Sequence, residues 1–356
     1  MSSSGIVEPK CRASHKQKGD IAGLRPNSPK RRITCGSSVP FCALLNIALL
    51  SFAPALHQYE SVEPHMGTLV SIKLYAANEQ QAKDAFHAAF DRIAQLDSTL
   101  SDYKPDSELN RITTLAVQSP KPISDDLFQV LAEGQSLAEQ TGGAFDVTVG
   151  PLTHLWRQSR RTHSLPDPKT LAEALSRTGY RKMHLDPAAH TVSFDIPGMQ
   201  LDVGANAKGF AADEAIKVLS KLGIHSALVA ASGDLAFSNP PPGEKGWKVA
   251  IDALPHPLIL SNAAVSTSGA SEQNFTVNGV RYSHILDPHT GLGLTTNITT
   301  TVVAPHGLDA DGLDTALNVL GLDRALAFIE TQPGAAAVIS TGSTVRESTL
   351  FRALSR

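Results

Sequence analysis

The spacing of apolar and polar residues predicts alternating strands and helices along the chain. Polar and apolar residues alternate from His65 to Tyr75, which predicts a first strand. Asn78 then caps a helix whose apolar stripe runs from Ala82 to Leu96, and Ser124 caps a second helix. The same patterns predict short helices at 169–176 and 309–321, a helix ending at 222–223, a hairpin at 182–194, and strands at 225–231, 247–251 and 298–302. The run 263–269 is predicted to be a short strand that passes into a small polar turn, and 281–291 a strand closed by a Pro and Gly turn.

A run of small residues joins a strand end to the predicted helix that ends at 222–223. It extends from Leu201 to Asp213 and contains Gly204, Lys208 and Gly209. Small residues let backbone groups approach a ligand closely, and the helix N-terminus and the Lys208 cation both favour an anion. The spacing matches neither the P-loop nor the dinucleotide fingerprint. Two interpretations stay open: a cradle for a diphosphate, or a close contact between helix and sheet.

The predicted helix at 309–321 carries acidic residues on one face. Asp311, Asp314 and Thr315 stand at positions i, i+3 and i+4, so their oxygens converge on one side. Hard oxygen ligands of this kind suit Mg²⁺ or Ca²⁺. The alternative is that acidic residues simply favour a helix N-terminus.

Three further residues have both a structural and a functional interpretation. Tyr103, on a polar loop, is either a packing lid or a platform for a ligand. Asp146 either caps a turn or contributes a carboxylate to a site. His284 is either a structural strand histidine or a base, since an imidazole titrates in the range that general base catalysis needs. Residues 157–200, which include Arg157, Arg160 and Arg161, suggest no chemistry.

Composition narrows the class of protein. Among 356 residues, 42% are hydrophobic and 18% charged, as in globular proteins with one large domain or two moderate ones. The net charge of -3 argues against a nucleic-acid partner.

The N-terminus has the pattern of an export signal. Lys30-Arg31-Arg32 precedes an apolar run from Val39 to Ala55, and Ala53-Pro54-Ala55 matches a signal-peptidase site. We therefore expect a leader at 1–38, disordered or arising from a misassigned start, and a signal core at 39–55 cleaved after Ala55. An uncleaved membrane anchor is the alternative. All three cysteines, Cys11, Cys35 and Cys42, precede this site, so the mature chain would contain no disulfide or thiolate metal site.

Several ordered segments after the signal resemble the ApbE family, the FAD:protein FMN transferases. The resemblance runs from about Met66 to Glu330. The segments are Met66-Gly67-Thr68, Ser101-Asp102-Tyr103 with Ser107-Glu108, Ala144-Phe145-Asp146, Asp202 to Gly209, Thr267-Ser268-Gly269, His284 to Gly291, and Asp311 to Thr315. Two positions depart from the family pattern: Ala205 replaces a common glycine, and Ala270-Ser271 replace an Asp-Tyr pair. The resemblance implies one flavin transferase domain at 56–356, with an α+β fold of helices packed on a mixed or mainly antiparallel sheet.

The resemblance also implies the site residues. The FAD site would be formed by Met66, Tyr103, Ala144, Phe145, Asp146, Asp202, Lys208 and Ile285. Mg²⁺ would be held by Asp311, Asp314, Thr315 and the backbone carbonyl of Ala205. His284 would be the base that accepts the proton of the acceptor hydroxyl.

The implied reaction joins FMN from FAD to a Ser or Thr hydroxyl of an acceptor protein and releases AMP. Phosphoryl transfer depends mainly on positioning and charge neutralisation, which a divalent cation and a lysine can supply. The implied acceptors are subunits of sodium-pumping quinone reductase or Rnf type, with a motif like Asp-Gly-Ala-Thr, at the outer face of the cytoplasmic membrane or in the periplasm. Two alternatives remain: an FAD pyrophosphatase that releases FMN and AMP, and a flavin-binding protein without turnover.

Overall fold

The computed structural model describes residues 55–117, 119–269, 274–342 and 344–355, which belong to one compact unit, Ala53–Arg356. The expected leader and nearly all of the expected signal core lie outside the described residues. Within the described ranges, no helix is both long enough and apolar enough to cross a membrane.

The strands, in chain order, are β1 His57–His65, β2 Thr68–Ala76, β3 Lys121–Pro122, β4 Met183–Asp186, β5 Thr191–Phe194, β6 Ala227–Ala231, β7 Asp234–Phe237, β8 Trp247–Val249, β9 Leu258–Leu260, β10 Ala263–Gly269, β11 Asn274–Val277, β12 Val280–Ser283, β13 Leu286–Asp287, β14 Leu292–Gly293, β15 Ile298–Ala304, β16 Ala336–Thr341 and β17 Thr344–Glu347. The helices are α1 Glu79–Leu100, α2 Glu108–Leu115, α3 Asp125–Thr141, α4 Gly150–Thr162, α5 Pro168–Ser176, α6 Ala207–Lys221, α7 Gly307–Leu320, α8 Leu322–Ile329 and α9 Thr349–Leu354.

An eight-stranded sheet forms the centre of the fold, in the order β1-β2-β6-β7-β10-β15-β16-β17. Every neighbouring pair in it is antiparallel. Apolar side chains of α1, α3, α6 and α7 contribute to the main hydrophobic core together with strand residues such as Ile72 and Val302. A separate apolar cluster contains Trp247, Leu258 and Phe351. This arrangement confirms the expected α+β fold with a mainly antiparallel sheet.

Two glycines allow α6 and α7 to approach each other closely. A Cβ added to Gly209 would lie 2.0 Å from the carbonyl oxygen of Gly307, and one added to Gly307 would lie 2.4 Å from the carbonyl oxygen of Gly209. Because real Cβ atoms do not come so close to backbone, only glycine fits at both positions. The contact brings the first turn of α6 against the acidic face of α7.

Most predicted elements are confirmed, including the 182–194 hairpin and the caps of α1 and α3. The strand that begins at Ala263 is confirmed, but it continues through Gly269 where a polar turn was predicted, because these residues pair with β15. The predicted first strand is wrong at its start, because a turn at Met66 and Gly67, with φ of 49° and 73°, separates β1 from β2. Since β1 is mostly exposed, it lacks the buried alternation that marks a strand. The predicted strand at 281–291 is also divided: β12 ends at Ser283, and a bend at His284 and Ile285 precedes β13.

Candidate active site

A cavity of about 340 Å³ opens where loops at the ends of several strands meet the first turns of α6 and α7. Loops that follow α1, α3, β6 and β12 contribute to its wall, as do α4 and the turn before α6. The sheet and the helices therefore hold residues together that are far apart in sequence.

The cavity gathers nearly all of the predicted site residues. The lining includes Tyr103, Ala144, Phe145, Asp146, Asp202, Ala205, Lys208, His284, Ile285, Asp311, Asp314 and Thr315. Met66 is not among the lining residues; it lies in the turn between β1 and β2 and packs against the main core. Its predicted contact with a ligand stays a prediction.

Lys208 lies among three buried carboxylates at the inner end of the cavity. Its Nζ is 2.5 Å from Asp234 Oδ2 and 3.3 Å from Asp311 Oδ1. The backbone N–H of Gly209 donates to Asp311 Oδ2 at 3.0 Å, which the close contact of α6 and α7 makes geometrically feasible. Asp314 lies one helical turn further along α7 and accepts a hydrogen bond from Ser266 at 2.6 Å. The small-residue turn thus contributes to the cavity, and the close contact made by Gly209 is with helix α7, whereas the predicted contact was with the sheet.

Burial dominates the electrostatics of this acidic cluster. It raises the pKa of Asp311 to about 6, with repulsion from Asp234 adding to the effect and Lys208 opposing it. Burial and repulsion from Asp311 raise the pKa of Asp314 well above its ordinary value. Burial alone would lower the pKa of Lys208, but the carboxylates of Asp311 and Asp234 outweigh it and raise that pKa. Three acids around one lysine leave an excess of negative charge when all ionise.

The donor set fits a hard divalent cation. Asp311 and Asp314 are 3% and 1% exposed, and a cation would offset the cost of ionising carboxylates that burial disfavours. Thr315 and Ala205 add hydroxyl and carbonyl oxygens to the same cavity. Among the described residues, no three His, Cys, Asp or Glu side chains form a ready-made metal cluster. The predicted metal-binding set contains only two carboxylates, so its other ligands would be the Thr315 hydroxyl and the Ala205 carbonyl.

Asp146 has the structural role that the sequence offered, and its predicted contact with a ligand stays a prediction. Its carboxylate accepts from the backbone N–H and the hydroxyl of Thr148 at 2.7 and 2.6 Å, and from the backbone N–H of Tyr180 at 2.8 Å. Burial nevertheless raises its pKa, although these hydrogen bonds oppose the shift. The residue fixes the loop after α3 and also lines the cavity.

Arg157 corrects the expectation that residues 157–200 suggest no chemistry. It lies on α4, pairs with Asp102 and Asp202, the latter at 2.9 Å, and lines the cavity. Its guanidinium also stacks on the ring of Tyr103, 4.2 Å from the centroid. Tyr103 itself is 73% exposed, so it covers the mouth of the cavity rather than filling the core.

His284 is held at the cavity by the bend that follows β12. Its neighbour Ser283 accepts a hydrogen bond from the indole of Trp156 through its carbonyl, at 3.0 Å, and receives the backbone N–H of Ile285 on its hydroxyl at 3.1 Å. These bonds fix the backbone on both sides of the half-buried His284 side chain. The bend explains why the histidine faces the cavity although the adjacent serine is buried.

Sequence reasoning missed Asp234 and Ser266 as site residues. Asp234 begins β7 after a tight turn at Ser232 and Gly233, where a Cβ on the glycine would lie 2.7 Å from the carbonyl oxygen of Thr267. Ser266, on β10, has one hydroxyl proton and lies within hydrogen-bond distance of both Asp234, at 2.5 Å, and Asp314. The Ser-Gly-Asp sequence at a strand end was the available signal, but only strand pairing shows that it faces Lys208.

The family model named ApbE family matches residues 66–339. The chain belongs to the ApbE family. An FAD:protein FMN transferase from Treponema pallidum is 33% identical over 316 residues, which cover 82% of this chain and 87% of that relative. Another, from Klebsiella pneumoniae, is 32% identical and covers 75% of this chain and 80% of its own length. This ApbE chain is accordingly a transferase enzyme.

Solved ApbE structures share the fold. The apo form of the flavinyl transferase ApbE from Pseudomonas stutzeri superposes with a TM-score of 0.75 at 30% identity, covering 84% of this chain and 97% of that chain. The flavin transferase ApbE from Vibrio cholerae gives a TM-score of 0.75 at 27% identity, with 84% and 100% coverage. The likeness spans nearly the whole of each solved chain.

Proposed function

We propose that this protein is a Mg²⁺-dependent FAD:protein FMN transferase that esterifies a Ser or Thr hydroxyl of an acceptor protein. The observation that carries the proposal is the meeting of His284, Lys208, Asp311 and Asp314 around one cavity in an ApbE chain. The names of its relatives support FAD as the donor and a protein as the acceptor.

Each group has a distinct task in the proposed reaction. Asp311, Asp314, Thr315 and the carbonyl of Ala205 would hold Mg²⁺, which supplies charge neutralisation at the phosphates. Lys208, fixed by Asp234, would contact the diphosphate as a second cation. Tyr103 and the loop at 144–146 would position the nucleotide, together with Asp202 and Ile285.

His284 would act as the general base. In the proposed step, the acceptor oxygen forms a bond to the FMN phosphorus while the bond from that phosphorus to the oxygen bridging to the AMP phosphate breaks. The proton of the hydroxyl passes to the imidazole, and AMP leaves with the bridging oxygen. A storage protein would need neither this histidine nor the buried acidic cluster beside it.

Intact-mass spectrometry tests this proposal directly. The protein is incubated with FAD, Mg²⁺ and an acceptor domain carrying an Asp-Gly-Ala-Thr motif. We expect the acceptor to gain one esterified FMN, with AMP released, and to gain nothing when Mg²⁺ is chelated. Free FMN and AMP with an unchanged acceptor would instead identify a pyrophosphatase, and intact FAD would identify a binding protein.

We also propose that the protein works in the periplasm or at the outer face of the cytoplasmic membrane. The basic run at 30–32 followed by the apolar run from Val39 to Ala55 supports this location. N-terminal sequencing of the protein from its native host tests it: Leu56 should be the first residue. A retained leader would contradict cleavage, and activity confined to the cytoplasm would contradict export.

A further inference from the structure

A second, wider groove adjoins the cavity on the side of Tyr103 and Arg157. Its volume is about 660 Å³, and it shares Tyr103, Arg157 and Arg160 with the first cavity. Its other lining residues are Asp102, His154, Arg161, His163, Asn274 and Phe275. We call this set of residues the basic groove. None of the tasks in the proposed reaction uses its outer part, formed by Arg161, His163 and Phe275.

The basic groove is cationic in a protein whose net charge is -3. Among its described lining residues, three arginines face one aspartate, a formal charge of +2 with neutral histidines. That aspartate, Asp102, is paired with Arg157, which also pairs with Asp202 of the adjoining cavity; counting Asp202, the formal charge is +1. Arg161 and His163 are exposed at the end of α4. The carbonyl end of this helix carries a partial negative charge, so the cationic character comes from the side chains.

The groove has a rigid apolar wall. Phe275 is 5% exposed and packs against Trp156, with ring centroids 5.1 Å apart. His163 meets the same phenylalanine edge to face at 6.3 Å. Because Phe275 itself is nearly covered, the aromatic surface exposed beside the cationic groups is the ring of Tyr103, and polypeptide interfaces are enriched in aromatic residues and arginine.

The groove leads directly to His284. Asn274, which lines it, pairs across the β11–β12 hairpin with Ser283, and His284 is the next residue. A chain segment lying in the groove would therefore have its neighbouring residues close to the proposed base. The deeper cavity would hold the phosphates of FAD, so the groove is available for the other substrate, the acceptor protein.

We propose that the basic groove docks an acidic segment of the acceptor protein that flanks the modified hydroxyl. The proposal rests on the proposed function, since it assigns the second substrate of the same site. Charge complementarity selects this occupant, because the lining of the groove is positive and would attract an acidic segment. The groove thus contributes to acceptor choice and to the rate of encounter.

Charge exchange between enzyme and acceptor tests the docking surface. Two versions of one acceptor domain are compared, with the same hydroxyl motif flanked by Asp and Glu or by Lys. Arg161→Glu should raise KM for the acidic version about 3- to 10-fold at low salt, with little change in kcat. The same variant should lower KM for the Lys-flanked version. Arg161→Lys should behave like the unchanged protein. Added salt should reduce the preference of both proteins for the acidic version.

Arg346→Glu is the matched control, because Arg346 is an exposed arginine on β17 and is not among the groove residues. It should leave KM for both acceptors unchanged. FAD affinity, measured by quenching of flavin fluorescence, should be the same in all variants. Equal KM values for Arg161→Glu and Arg346→Glu would overturn the docking surface. A selective loss of FAD affinity in Arg161→Glu would also overturn it, since the groove would then hold the nucleotide.

The outcome separates the docking proposal from the proposed function. If the unchanged protein transfers FMN but ignores the charge of the acceptor, the function stands and the groove assignment fails. If no FMN is transferred to either acceptor, the function fails. Fluorescence anisotropy of labelled acceptors without FAD then decides the groove: charge-dependent binding that Arg161→Glu reverses supports it, and charge-independent binding refutes it.

Discussion

Asp311→Asn should stabilise the metal-free protein while removing Mg²⁺-dependent activity. Burial raises the pKa of Asp311 from its ordinary 3.8 to about 6. Between these values the folded protein binds the proton more tightly than the unfolded chain does, so the free energy of unfolding falls as pH rises through the window. A pKa difference of about two lowers the free energy of unfolding by about 3 kcal/mol at pH 7.

The amide removes this ionisation cost but also changes local contacts. Asparagine keeps a carbonyl oxygen for the N–H of Gly209, whereas Lys208 retains only Asp234 as a direct carboxylate partner. The pKa of about 6 already includes the attraction of Lys208, so losing that contact brings no further cost. We therefore expect a net gain of about 3 kcal/mol in the free energy of unfolding at pH 7.5. At pH 4 the gain should largely disappear, because Asp311 is then protonated in the unchanged protein.

Urea unfolding followed by tryptophan fluorescence measures this difference. Trp156 and Trp247 are both buried and lie in separate apolar clusters, so they report on different parts of the fold. Asp84→Asn, at an exposed position on α1, is the control and should change stability by less than about 0.5 kcal/mol. Mg²⁺ should stabilise the unchanged protein and not the Asp311 variant. An Asp311→Asn variant less stable at pH 7.5, or a difference independent of pH, would refute the reasoning.

Three further substitutions test the other parts of the site. His284→Ala should lower the rate of transfer, measured by stopped-flow, about 10²- to 10⁴-fold, with little effect on FAD affinity measured by fluorescence titration. Equal losses of rate and affinity would make His284 a binding residue. Asp234→Asn removes the charge of the nearest carboxylate partner of Lys208 and should reduce turnover about tenfold or more. Normal turnover would show that Lys208 does not need this carboxylate. Gly209→Ala would place a carbon 2.0 Å from the carbonyl oxygen of Gly307 and should lower the free energy of unfolding in urea by about 3 kcal/mol. Gly312→Ala is its control, since the added carbon would lie 3.0 Å from the flexible Leu137 side chain and at ordinary contact distance, 3.8 and 3.9 Å, from Asn206 and Phe145. Equal losses of stability in the two variants would show that the helix contact is not critical.

The sequence by itself determined the local elements and the chemistry of the acidic helix. Helical periodicity places Asp311, Asp314 and Thr315 on one face, and small residues before Lys208 predict a close turn, because both patterns depend on neighbours in the chain. The hairpin at 182–194 and the start of the strand at 263–269 follow from the same local rules. The exposed strand β1 escaped prediction because no buried alternation marks it.

Only the tertiary structure decided which distant residues share the site. Ser266 reaches Asp234 through the pairing of β7 with β10, and Asp234 in turn contacts Lys208. Arg157 reaches Asp102 and Asp202 because α4 packs beside both loops. Such contacts join residues tens to hundreds of positions apart, and no local spacing encodes them. The raised pKa of Asp311 likewise depends on burial by other elements. Sequence supplied the reactive groups, whereas packing set their partners, charge and access to a ligand.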